Sequence, residues 1–138
     1  EVSVEKLDWV DDAGTIINPM LVKGQILGGI AQGLGEALME KIVFDDEGQL
    51  LTGSLMDYAL PRASDIPRIT INQLCTPSPV NLLGAKGVGE AGTIGAPAAI
   101  MNAILDALAA QGVEHVDMPA TSETVWQAIK AAKEGKTI

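Results

Sequence analysis

Glu90 is the residue of this chain whose surroundings point most directly to chemistry. It stands in Gly84-Ala85-Lys86-Gly87-Val88-Gly89-Glu90-Ala91-Gly92-Thr93-Ile94-Gly95, where five glycines surround one carboxylate and one lysine. It is also the only acid between Asp65 and Asp106. Glycine loses more backbone entropy on folding than any other residue, so a cluster this dense implies a tight turn or close approach to another molecule. A carboxylate buried in such a turn holds its proton nearer neutral pH than a solvated one, which suits proton transfer. The plainer reading is a solvated glutamate in the first turn of a helix, favoured by the macrodipole. Local sequence leaves both readings open.

Other chemistries fit less well. Gly87-Val88-Gly89-Glu90-Ala91-Gly92 matches G-x-G-x-x-G and opens a helix, as a dinucleotide-binding turn does. The segment before it, Pro77 to Lys86, is interrupted by proline and lacks the apolar strand that must lead into that turn. Glu90 would also set a negative charge beside a pyrophosphate. A Walker phosphate loop is excluded, since no Gly-Lys-Ser/Thr follows the required spacing. With one histidine (His115) and one cysteine (Cys75), the chain has no structural zinc set. His115 reads as a structural or surface residue, and Cys75 as a small apolar side chain at a strand end. Asp11/Asp12 and Asp45/Asp46/Glu47 read as solvated turns.

The elements that must position Glu90 follow from periodicity. Residues 2–10 and 68–75 alternate in the manner of half-buried strands. From about Met20 to Ile42 apolar residues recur at three- and four-residue steps, which predicts a long helix preceded by Asn18-Pro19. Gly24/Gly28 and Gly29/Gly33 fall one turn apart in it, each glycine costing about 1 kcal/mol relative to alanine. Such a helix is expected to press closely against another backbone along both pairs. Asp45-Asp46-Glu47-Gly48 reads as a hairpin turn between residues 42–44 and 49–51. A second helix is expected over 95–111, with Pro97 in its first turn and Gly112 as its stop. A short strand over 113–116 and a last helix over 121–134, capped by Thr121, complete the reading. The expected fold is α+β, one domain over residues 1–138, with the helices on a small mixed or antiparallel sheet.

Composition narrows the partners. Apolar residues make up 47% of 138, enough for a packed core, while aromatics are only 3%. The core must therefore be built from small and aliphatic side chains. A net charge of −9 disfavours nucleic acid and anionic membrane surfaces. The lone Cys75 points to a reducing compartment, hence the cytoplasm. Asn102 and Asp106 interrupt the longest apolar run, so no membrane span is expected.

The ordered set Gly24-Gln25-x-x-Gly28-Gly29-x-x-Gln32-Gly33-Leu34-Gly35, Asp57-Tyr58 and Gly87-Val88-Gly89-Glu90 resembles the C-terminal part of the molybdenum-binding subunit of the molybdenum hydroxylases. That family includes xanthine dehydrogenase, aldehyde oxidoreductase and the large subunit of aerobic carbon monoxide dehydrogenase. Asn18-Pro19 and Met118-Pro119-Ala120-Thr121 extend the resemblance over nearly the whole chain, and Gly-Glu-Ala-Gly after Val88 is most similar to the carbon monoxide branch.

The resemblance implies an oxidoreductase that oxidises or hydroxylates carbon monoxide, an aldehyde or an N-heterocycle with water as oxygen source. Glu90 matches the base beside the metal, and Gln25 a glutamine whose amide hydrogen-bonds the pterin. Gly87 and Gly89 would let the backbone reach the cofactor and aim Glu90; no metal ligand is implied on this chain. Lys86 either favours the anionic form of Glu90 or is simply exposed, the latter being the simpler reading. The implied cofactor is molybdenum-molybdopterin, in the cytosine dinucleotide form by bacterial analogy. Iron–sulfur clusters and FAD would lie on partner subunits or domains, and the rest of the molybdenum-binding subunit would be a further partner. The chain alone is then expected to be inactive. An alternative is a non-catalytic assembly or binding domain that keeps the motif as scaffold.

Overall fold

The computed structural model describes residues 2–135. Five elements follow in order: strand β1 (Lys6–Asp12), helix α1 (Pro19–Leu38), strand β2 (Arg68–Leu74), helix α2 (Ala91–Ala109) and helix α3 (Ser122–Lys133). A short 3-10 turn at Ala63–Asp65 precedes β2. The α+β reading with two long helices and a shorter third therefore holds.

β1 and β2 pair in parallel, Lys6 opposite Arg68 through Asp12 opposite Leu74. This corrects the expected mixed or antiparallel sheet. Alternation marks a strand but carries no direction, and a parallel pair needs a long crossover, which α1 and the segment after it provide. Val113–Val116 is not a strand either. Val113 and Val116 are three residues apart and both are buried in the core shared by the helices. The expected turn after residue 44 does form, with Phe44 bridged to Leu50 and the Leu51 N–H donating to the Val43 carbonyl at 2.8 Å.

α1 begins where the Asn18 side chain accepts from the Met20 and Leu21 N–H groups at 3.1 and 3.2 Å, with Pro19 preset for the first turn. Ile26, Ile30, Leu34 and Ala37 recur along its buried face. It stops at Leu38, short of the expected Ile42, where the Met39 and Glu40 N–H groups both donate to the Gly35 carbonyl at 2.9 and 2.8 Å and close the last turn. α2 starts at Ala91, earlier than expected, so Pro97 lies inside the helix rather than in its first turn. Gly92 stands inside the first turn of α2, at the close approach to α1, where a Cβ would lie 2.5 Å from the Ile26 oxygen. Thr121 caps α3 by accepting from Thr124 N–H at 3.1 Å, and Glu123 and Lys130/Lys133 complement its dipole.

Two clusters form the core. Ile26, Ile30 and Ala96 meet Leu7, Trp9, Ile69 and Ile71 from the sheet, with Val88 from the glycine loop. Leu34, Ala37, Ile100, Ile104, Val113, Val116, Val125 and Ala128 join the three helices. The Ala120 N–H donates to the Ala37 carbonyl at 2.7 Å and fixes the entry to α3. By length and composition α2 could cross a bilayer; one face of it, Gly92, Ala96, Ile100 and Ile104, is buried against neighbouring elements.

Candidate active site

The loop that carries Glu90 is held at its base by Asp12. One Asp12 oxygen accepts from the N–H groups of Gly14 (2.9 Å) and Thr76 (3.1 Å), and the other from the Lys86 ammonium (3.0 Å). Thr76, then Gly14 and Lys86, hold the Asp12 carboxyl well below the usual carboxylate range. Asp12 is thus a structural knot rather than a solvated turn residue, and Lys86 is paired rather than free. Backbone bonds finish the anchor: Lys86 N–H to Ala13 carbonyl and Thr15 N–H to Gly84 carbonyl, both 3.0 Å. Gly14 and Gly84 adopt φ of +61° and +68°, and a Cβ on Gly14 would lie 2.3 Å from the Gly84 oxygen. Only glycine fits that approach.

Beyond this anchor Val88 plugs into the core, and the chain turns at Glu90 into α2. The Glu90 carbonyl accepts from Thr93 and Ile94 N–H at 3.0 and 3.2 Å, while its carboxylate caps nothing. Glu90 is exposed, so these residues alone do not supply the desolvation expected of a buried base. Gln25 of α1 is exposed as well, and its Nε2 donates across to the Gly89 carbonyl at 3.5 Å. Gln25, Gly89 and Glu90 therefore come together from distant parts of the chain. Gly87 lies on the same loop with open space where a Cβ would stand. An uncharged amide beside bare, exposed glycine backbone fits the edge of a heterocycle, which offers donors and acceptors but little room for side chains.

Remaining polar groups lie outside this junction. His115 pairs with Asp117 at 2.9 Å, and Cys75 is exposed. Among the described residues no group of three or more potential metal ligands occurs. The Tyr58 hydroxyl donates to Glu40, whose carboxylate pushes the phenol pKa up, and Ser54 donates to Asp57 at 2.8 Å. Sequence reasoning missed Asp12 and Thr93. No local signal pairs Asp12 with Lys86, while Thr93 was legible only as part of the glycine segment.

Comparisons with known proteins show what the chain is similar to. Residues 1–67 match the molybdopterin cofactor-binding domain family. The chain is 46% identical over 129 residues to the nicotine 6-hydroxylase large subunit of Paenarthrobacter nicotinovorans, covering 94% of this chain and 16% of that protein. It is 43% identical over 130 residues to the carbon monoxide dehydrogenase large chain of Hydrogenophaga pseudoflava, again 94% of this chain and 16% of the relative. Its structure superposes on quinoline 2-oxidoreductase from Pseudomonas putida 86 with a TM-score of 0.89 at 48% identity, over 93% of this chain and 16% of that one. The likeness thus extends beyond carbon monoxide dehydrogenase to enzymes named for N-heterocycles, and the chain spans about one sixth of each relative's length. The chain belongs with the molybdenum-binding large subunits of the molybdenum hydroxylases and carries part of their molybdopterin cofactor-binding domain.

Proposed function

We propose that residues 1–138 form one domain that supplies the pterin-facing and base-bearing wall of the active site in a molybdenum-dependent oxidoreductase. The observation that carries this reading is the junction at which the Gln25 amide meets the Gly89 carbonyl immediately before Glu90. Gln25 holds the pterin through its uncharged amide, and the open backbone at Gly87 and Gly89 admits the cofactor's edge. The molybdenum–molybdopterin group, when bound, supplies a two-electron oxidation of the substrate with water as oxygen source. Glu90 accepts a proton at a carboxylate oxygen as that water is activated. Its exposure leaves the carboxylate free to face a group brought by the rest of the subunit, which would also desolvate it. The cofactor is the cytosine dinucleotide form, and the substrate is carbon monoxide, an aldehyde or an N-heterocycle. Iron–sulfur and flavin subunits or domains take the electrons, and the assembly works in the cytoplasm.

The test is Glu90→Gln in the assembled enzyme, which keeps size and hydrogen-bonding reach but removes basicity. Turnover should fall by about 10²–10⁴-fold, the usual contribution of a positioned general base. Molybdenum and pterin contents should stay at parent levels, because Gln25 and the glycine backbone hold the cofactor. Turnover within threefold of the parent at full metal loading would end this reading.

A further inference from the structure

α1 and α2 cross backbone against backbone beside the candidate site. A Cβ on Gly92 would lie 2.5 Å from the Ile26 oxygen and 2.8 Å from the Ile30 nitrogen, and one on Gly29 would lie 2.9 Å from the Thr93 nitrogen. Across this crossing the Thr93 hydroxyl donates to the Gly29 carbonyl at 2.9 Å, with the Gln32 side-chain amide 3.3 Å away. A threonine hydroxyl in a helix commonly bonds to the carbonyl four residues earlier in its own helix. For Thr93, in the first turn of α2, that carbonyl is Gly89, which lies outside the helix before the Glu90 N-cap, and the hydroxyl bonds to α1 instead.

The two bonds form a reciprocal clasp. A side chain of α1 (Gln25) bonds to backbone just before α2, and a side chain of α2 (Thr93) bonds to the backbone of α1, four residues on in each chain segment. Glu90 lies between the two points on its own segment, and its carbonyl accepts the Thr93 and Ile94 N–H groups. On the other side the Trp9 ring closes on Gly95, where a Cβ would lie 2.9 Å from the indole.

We infer that Thr93 is a positioning residue for Glu90: its bond to Gly29 fixes the first turn of α2 on α1, as Gln25 fixes the Gly89 carbonyl just before it. The inference rests on the reading of Glu90 as base. Thr93→Val removes the hydroxyl at nearly constant shape, and Thr93→Ser restores it. Both are made in the full-length, cofactor-loaded enzyme beside Glu90→Gln. Hydrogen exchange at the Thr93 and Ile94 amides should quicken on the order of tenfold in Thr93→Val, through local opening of the turn. In the same variant kcat should fall between about tenfold and 10²-fold through misplacement of the carboxylate, with KM and cofactor content unchanged. Thr93→Ser should recover both. Unchanged amide exchange in Thr93→Val overturns the inference, as does a loss of turnover that serine does not rescue. Near-parental kcat in Thr93→Val beside a crippled Glu90→Gln enzyme overturns it while sparing the base. Near-parental turnover in Glu90→Gln removes the base reading and the positioning role with it.

Discussion

Helix α1 carries two glycine pairs at the same one-turn spacing, and they meet opposite surroundings. A Cβ on Gly33 would lie 2.8 Å from both Ala96 Cβ and Pro97 Cδ, and one on Gly29 would strike the backbone of Gly92 and Thr93. Gly24 and Gly28 have nothing within 4 Å of that position and are exposed. Gly29/Gly33 is therefore a packing device that lets two helices touch, whereas Gly24/Gly28 bares backbone on the rim where Gln25 stands. This corrects the expectation that both pairs are close-packed. Glycine periodicity tells which residues share a face, not what lies opposite it.

The comparison breaks most sharply at Gly92, the partner of the packed pair. Gly92→Leu drives a side chain into the main-chain atoms of Ile26 and Ile30, which cannot move aside without unwinding α1. Its cost should reach or exceed the upper end of the roughly 1–3 kcal/mol seen for overpacking. Gly29→Leu should cost about 1–3 kcal/mol by the same mechanism, although leucine is the better helix former. Gly28→Leu should leave the melting temperature of this chain unchanged or raised. Equal losses at Gly28 and Gly29 in thermal melts would erase the distinction between the two faces.

Acid should separate the two regions next. The packed pair is held by backbone contact and apolar burial, which carry no titrating group. The Glu90 loop is tied to Asp12, whose folded-state carboxyl lies well below its ordinary value of about 3.9. A depressed carboxylate contributes stability that is fully present above the unfolded-state pKa and is lost as pH falls below it towards the folded value. Below about pH 4, amides of residues 84–90 should therefore lose exchange protection before those of the α1–α2 crossing. Asp12→Asn should remove the acid dependence of the loop. Simultaneous loss of protection in both regions would show that the loop is not anchored through Asp12.

How much of this was legible depends on the range of the interaction. The three helices followed from local periodicity, and Asn18 and Thr121 announced two starts. Strand direction did not follow, because Leu7 and Trp9 alternate identically whether β2 runs beside them up or down. The Asp12–Lys86 pair joins residues far apart in sequence, and nothing near Asp12 marks it as more than a turn aspartate. Glu90 was legible as an isolated acid in a glycine turn, but the choice between a buried and a solvated carboxylate was not, and the structure exposes it. A turn of glycines buries a carboxylate only if something else covers it, and the described residues do not.

The finest discrimination comes from a single methyl group. Gly28→Ala adds a Cβ into open space on an exposed helix position, so this chain should gain about 0.5–1 kcal/mol from the improved helix propensity alone. That gain should appear as a rise of a few degrees in melting temperature. Gly29→Ala, one residue on, meets Thr93 nitrogen at 2.9 Å and should lower it. In the full-length subunit the sign at Gly28 becomes informative. If the open pair borders the pterin beside Gln25, the same methyl should reduce pterin content while the melting temperature of the cofactor-free protein still rises. A Gly28→Ala subunit with parental pterin content would move the cofactor away from this stripe and confine the proposed contact to Gln25 and the Gly87–Gly89 backbone.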